Sequence, residues 1–213
     1  RVAMESACTE MPDPGNPWPF EGIADPNRRR QDPPANPDSL EQDTSYTCVV
    51  DRWGNSFSAT PSDAVFGSPI VPSLGLMISS RGTQSWLDED HPSSVAPWKR
   101  PRLTPNPAMA FKNGKLFMPF GTPGGDAQCP AMVQTFLNIV EFGMNPQEAI
   151  EAPRFVPWNY PNSFWPHAYH PGLIQLEGRI SREVGRELSR RGHNVEYLGD
   201  WSASMGAMSA IVV

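Results

Sequence analysis

Asp43-Thr44-Ser45-Tyr46-Thr47-Cys48-Val49-Val50-Asp51 marks an abrupt change in the character of this chain. The stretch Ser45–Asp51 is rich in β-branched and aromatic residues, Tyr46, Thr47, Val49 and Val50, which reads as a strand. Arg52-Trp53-Gly54-Asn55 reads as a tight turn, and Ser56-Phe57-Ser58-Ala59-Thr60 alternates as a returning strand. Thr44 is therefore expected at the head of a hairpin. Residues 1–43, by contrast, are rich in Pro, Asp, Asn and Arg, with clusters such as Asp13-Pro14-Gly15-Asn16-Pro17. Each proline removes a backbone donor and turns its predecessor away from helix, so an irregular tail is expected there.

The remainder reads as strands mixed with helices. Ala108–Phe111 and Lys115–Met118, joined by Asn113-Gly114, predict a second hairpin. Ala131–Phe142 places Met132, Phe136, Ile139 and Val140 on one helical face, and Gly143 and Pro146 close it. Pro146–Ile150 opens a short helix. Ile180–Arg191 carries Val184 and Leu188 opposite a charged face, with Gly192 as its C-cap. Ala207–Val213 reads as a closing strand, which gives an α+β domain over 44–213.

Composition narrows the function only by exclusion. A net charge of -6 argues weakly against nucleic-acid binding, which usually needs a basic patch, and Arg28-Arg29-Arg30 reads as a solvated loop. No apolar run approaches the ~20 residues of a membrane span. Cys8, Cys48 and Cys129 are odd in number and far apart, which fits reduced structural thiols. Reduced thiols slightly favour a reducing compartment, so a cytoplasmic location is favoured slightly over periplasmic or secreted ones. His91, His167, His170 and His193 have no ligand spacing to match, and neither a metal nor a cofactor is expected.

Two short motifs could carry chemistry. A threonine hydroxyl needs a base, and its own α-amine can serve if the residue becomes a chain terminus. For Thr44 this requires cleavage of the Asp43–Thr44 bond; otherwise Thr44 is an ordinary strand-leading residue. Gly121-Thr122-Pro123-Gly124-Gly125 lies between a strand and a helix, and reads either as a glycine turn or as a pair of N–H donors for an oxyanion. The aromatic and proline-rich stretch Pro157–Pro166 reads equally as core cover or as a stiff pocket wall.

In order along the chain, Thr44–Asp51 with Gly54-Asn55, Phe66-Gly67-Ser68, Lys99-Arg100-Pro101, Gly121–Gly125 and Glu148-Ala149-Ile150-Glu151-Ala152-Pro153-Arg154 resemble the small subunit of the γ-glutamyltranspeptidases and their amidohydrolase relatives. The resemblance implies a four-layer αββα sandwich of the N-terminal-nucleophile hydrolase type, with residues 1–43 as the end of the large subunit. It implies self-cleavage between Asp43 and Thr44, nucleophilic attack by Thr44, an orienting hydroxyl at Ser62, and an oxyanion hole at Gly124 and Gly125. It also implies a large subunit from the same precursor as partner, in a heterodimer or a dimer of heterodimers, and a small-molecule amide substrate.

The departures lie in the substrate pocket. Where γ-glutamyl enzymes carry Asn-Gln-Met-Asp-Asp, this chain has Ser79-Ser80-Arg81-Gly82-Thr83-Gln84. The serine pair of the carboxylate clamp falls at Leu103-Thr104, and the asparagine near the nucleophile is matched at best by Asp63. Arg81, Gln84, Asp63 and Thr104 are the candidate substrate-binding residues, with Arg81 suited to an acidic group on the acyl side. An amidohydrolase or acylase with altered recognition is therefore expected. A γ-glutamyl hydrolase or transpeptidase acting on glutathione-like substrates is the alternative, and a non-catalytic binding subunit is the second.

Overall fold

Short hairpins, each pinned by its turn chemistry, set the framework of the computed structural model, which describes residues 44–63 and 69–213. Strand β1 (Thr47–Val50) pairs antiparallel with β2 (Ser56–Ala59). The turn between them is organised by Asp51, whose carboxylate accepts the Trp53 and Asn55 N–H groups at 2.9 Å each and the Asn55 side-chain amide at 2.8 Å. Gly54 supplies the positive φ of 85°. After the small β3 (Ile70–Val71) and β4 (Leu76–Met77) pair comes a 3-10 turn, Ser80–Gln84.

The second predicted hairpin is β5 (Ala108–Lys112) with β6 (Lys115–Gly121). Asn113 and Gly114 both take positive φ, 52° and 76°, as a two-residue hairpin turn of the primed type demands. Strand β6 runs three residues beyond the expected end, through Pro119, Phe120 and Gly121.

Helix α1 (Gln128–Val140) starts three residues before the sequence expectation, with Pro130 inside its first turn. Proline is tolerated there because the N–H it lacks has no intrahelical partner. Helix α2 (Pro146–Glu151) follows, opened by a capping box in which Asn145 and Glu148 each accept the other's backbone N–H at 3.0 Å.

The last third holds a sheet that the sequence reading did not foresee. Strand β7 (Phe155–Pro157) pairs antiparallel with β8 (Leu173–Leu176), and β8 pairs in parallel with β9 (Asn194–Tyr197). The parallel pair needs a crossover, which is α3 (Arg182–Arg190). This helix is shorter at both ends than predicted, because Ser181 serves as its N-cap, accepting the Val184 N–H at 3.3 Å.

The predicted closing strand is formally only β10 (Ser209–Ala210), lying beside β6 in the order β10-β6-β5. Its pairing continues, since Ile211 N–H reaches Pro119 O at 3.2 Å and Val213 N–H reaches Phe117 O at 3.0 Å. The core forms where α1 covers this sheet: Met118, Phe120, Ala131, Met132 and Met208 are buried together. A second cluster, Ala127, Val156 and Met205, ties the start of α1 to β7. The chain is thus a mixed α+β fold with the β1–β2 hairpin packed beside β6.

Candidate active site

Thr44 leads into β1, and the residue that closes β2 brings Ser62 back to it. Ser45 N–H donates to Pro61 O at 2.9 Å, so the two ends of the hairpin are joined. The Thr44 and Ser62 hydroxyls then lie 2.6 Å apart, within hydrogen-bond reach.

Arg81 approaches from the 3-10 turn. Ser79 caps that turn through its hydroxyl, which accepts the Arg81 N–H at 3.2 Å. Asp63 holds the same corner by accepting from the Ser79 hydroxyl at 3.1 Å and from Ser80 N–H at 3.2 Å. The Arg81 side chain is directed inward and buried, at 8% exposure. Its Nε donates to the Ser62 carbonyl at 3.2 Å, Nη1 donates to Thr104 Oγ1 at 3.2 Å and Gln84 Oε1 at 3.4 Å, and Nη2 donates to Ser62 Oγ. The Gln84 amide also donates to Thr104 Oγ1, at 3.3 Å. Thr44, Ser62, Arg81, Gln84 and Thr104 therefore form one connected hydrogen-bonded set.

All these acceptors of Arg81 are neutral. Burial lowers the affinity of Arg81 for its proton, opposed by the nearby charge of Asp63, but an arginine stays protonated in proteins. Among the described residues no carboxylate lies within ion-pair distance of Arg81, and Asp63 is the nearby acid whose charge acts on it. The Phe164 ring lies against the guanidinium at 5.3 Å, and Trp165 N–H donates to Thr83 O at 2.7 Å. The aromatic stretch thus packs on the Arg81 turn.

Gly124 and Gly125 sit in the loop leaving β6, with φ of 128° and 53°. Among the described residues, neither of their N–H groups donates to a protein acceptor. Gly121 docks this loop against Tyr46, two residues after Thr44: a Cβ there would fall 2.5 Å from Tyr46 Cδ2 and 2.9 Å from Cζ, so only glycine admits the ring. Behind the loop, Thr122 Oγ1 donates to Pro123 O and accepts Ala207 N–H, both at 2.7 Å. Gly206 closes against Gly124, and its carbonyl accepts from Arg154 Nη2 at 3.2 Å.

Asp43 and Phe66-Gly67-Ser68 lie outside the described residues. Two of the histidines serve packing: His91 and His167 stack on Trp86 with centroids at 4.2 and 3.6 Å. Burial keeps the His167 pKa below the usual range. Sequence reasoning missed Phe164 as a neighbour of Arg81, and Gly206 and Arg154 as supports of the glycine loop. The Arg154 contact could have been suspected from its place in the Glu148–Arg154 motif; an isolated Gly206 carried no signal.

The family model for Gamma-glutamyltranspeptidase matches residues 19–213. The chain belongs to that family. Among gamma-glutamyltranspeptidase relatives, it is 35% identical over 182 residues to the "Glutathione hydrolase-like YwrD proenzyme" of Bacillus subtilis (strain 168), covering 84% of this chain and 34% of the relative. It is 34% identical over 175 residues to the "Oxamate amidohydrolase proenzyme" of Klebsiella pneumoniae, covering 80% of this chain and 31% of the relative. Among solved structures, a Helicobacter pylori gamma-glutamyltranspeptidase variant superposes with a TM-score of 0.63 at 25% identity, covering 78% of this chain and 89% of that one. The chain spans about a third of the length of these curated relatives.

Proposed function

We propose that this chain is the nucleophile-bearing half of an amidohydrolase that matures by cleavage of its own Asp43–Thr44 bond. The observation that carries the reading is the 2.6 Å contact between Thr44 and Ser62, joined through Ser62 to a buried cation. Cleavage frees the Thr44 α-amine, whose reference pKa near ~8 suits a base at neutral pH. Thr44 Oγ then attacks the substrate carbonyl while its amine takes the proton and passes it to the departing amine. Water releases the acyl group from the resulting ester. The free N–H groups of Gly124 and Gly125 are the donors for the oxyanion, and removing one such donor typically costs ~3 kcal/mol of transition-state stabilisation.

The partner in this reading is the preceding part of the same precursor, which completes an αββα sandwich around the site. The proenzyme relatives support that arrangement. The substrate is an amide whose acyl group bears an acid, in the manner of the oxamate named for the Klebsiella relative. A buried guanidinium with no direct ion pair among the described residues, hydrogen-bonded to the neighbour of Thr44, supports the choice, as does the absence of an acidic residue from Ser79–Gln84 that could hold an α-ammonium.

Intact mass spectrometry of the purified full-length precursor tests maturation, and hydrolysis of oxamate, malonamate, a neutral amide and glutathione tests substrate choice. The expected outcome is a fragment beginning at Thr44 and turnover of the acidic amides above glutathione. Cleavage or full turnover by Thr44→Ala protein overturns the reading.

A further inference from the structure

Arg81 is tied to Ser62 twice, once at the carbonyl through Nε and once at the hydroxyl through Nη2. A guanidinium has five N–H donors and no acceptor. Two more donors, on Nη1, go to Thr104 and Gln84, which leaves a single N–H on Nη2. That is too few for a two-pronged grip on a substrate carboxylate with the existing bonds intact. The arrangement instead resembles a bracket. The cation is fixed on one side by Thr104 and Gln84, the latter 0% exposed, with Phe164 against the guanidinium. On the other side it fixes Ser62, whose hydroxyl lies within hydrogen-bond reach of the Thr44 hydroxyl.

The direction of the bonds follows from the chemistry. Since Arg81 can only donate, Ser62 Oγ accepts from it and keeps its own proton, with which it can donate. A hydroxyl that accepts from a cation becomes a better donor, because hydrogen bonds in series polarise one another. We propose that Arg81 is a positioning residue for the nucleophile: it holds Ser62 in register with Thr44 and, through the Ser62 hydroxyl, stabilises charge developing on Thr44 Oγ. This rests on the reading of Thr44 as nucleophile, and is separate from any contact between Arg81 and substrate.

Self-cleavage isolates this role, because no substrate acid takes part in it. Thr44 Oγ adds to the Asp43 carbonyl, the C–N bond breaks as the ester C–O bond forms, and the hydroxyl proton ends on the freed amine. Water then splits the ester into the Asp43 carboxylic acid and the restored Thr44 hydroxyl.

The experiment follows cleavage of the full-length precursor by intact mass against time, with far-UV circular dichroism confirming the fold. Arg81→Ala and Ser62→Ala are each expected to slow cleavage at least tenfold, and the double variant to be no slower than the slower single one, as for two residues on one path. Methylguanidinium added to Arg81→Ala at millimolar concentration is expected to restore cleavage, and tetramethylammonium to leave it slow. Arg81→Lys, which keeps the charge but not the planar fork, is expected between wild type and alanine. Should Arg81→Ala not fold, Phe164→Leu carries the test by loosening the guanidinium, with cleavage slowed severalfold. Wild-type rates in the Arg81 variants, or multiplying effects with Ser62→Ala, overturn the positioning role. An uncleaved wild-type precursor overturns the nucleophile reading beneath it.

Discussion

Replacing Gly121 by alanine tests how β6 and the segment from Thr44 into β1 are held together. The added Cβ would lie 2.5 Å from Tyr46 Cδ2 and 2.9 Å from Cζ, distances that real Cβ atoms do not sustain. The ring has little freedom to yield. Its hydroxyl is 2.7 Å from Ser58 Oγ, and Ser58 in turn donates to Ala108 O at 3.1 Å on β5. Gly121 cannot retreat either, because it is paired with Ser209 on β10. Overpacking at a constrained site typically costs 1–3 kcal/mol, and two fixed sides place this one at about 3 kcal/mol. At about 2–4 °C per kcal/mol for a domain of this size, the melting temperature should fall by roughly 6–12 °C. Thermal unfolding of the purified protein, read by circular dichroism, measures it. In a Tyr46→Ala background the same substitution should cost less than half as much, because the obstructing ring is gone. Since Tyr46 is two residues from Thr44, self-cleavage should also slow. A melting temperature within 1 °C (about 0.4 kcal/mol) of wild type, or an equal cost without the ring, would refute the reasoning.

Arg154→Ala removes side-chain bonds to Ile150 O at 3.0 Å and Gly206 O at 3.2 Å, and should cost about 3 kcal/mol in urea unfolding. Because Gly206 abuts Gly124, turnover should fall more than folding alone explains, when measured at temperatures where the variant is fully folded. Burial pushes the Tyr46 phenol up to about 12 and the Tyr160 phenol up as well. The folded state therefore keeps protons that the unfolded chain releases near its ordinary pKa of about 10. Stability contributed by these groups is complete below pH 10 and declines as pH rises from 10 towards 12, so Tyr46→Phe should flatten the alkaline limb of a melting-temperature profile. Asn145→Ala breaks the capping box of α2 and should cost about 1 kcal/mol in urea unfolding, with no effect on turnover.

Local chemistry was the part of the fold written openly in the sequence. Asn113-Gly114 can hardly be anything but a hairpin turn, and the spacing of Met132, Phe136 and Ile139 declares a helix. Strands β7, β8 and β9 escaped because each is only three or four residues long, too short to show a period. They are held by partners far along the chain, such as Leu173 opposite Asn194. The candidate site divides along the same line. Thr44, Ser62 and the glycine pair could be named from their motifs. Arg81, Gln84 and Thr104 were named as substrate-binding candidates, but their bonds to one another and to Ser62 were not legible. What turns Arg81 inward is Ser79 capping the 3-10 turn, Asp63 holding its start, and Thr104 waiting more than twenty residues later. A contact of that span leaves no local trace.

The two roles proposed for Arg81, positioning the nucleophile and attracting an acidic acyl group, can be separated by a ratio. In a γ-glutamyl donor the α-ammonium and α-carboxylate share one carbon, so a single cation attracts one and repels the other, and the net gain is small. An oxamate-type donor has only the acid. At an effective dielectric of about 20, a unit charge about 6 Å from the guanidinium gains about 3 kcal/mol, or roughly a hundredfold in kcat/KM. Positioning affects both donors equally and cancels when their kcat/KM values are divided. In matured Arg81→Gln protein, the preference for oxamate-type amides over glutathione should therefore fall by up to about a hundredfold if Arg81 attracts the acid. If both kcat/KM values drop together and the ratio stays fixed, Arg81 acts on Thr44 alone, and recognition of the acyl group must come from the other half of the precursor.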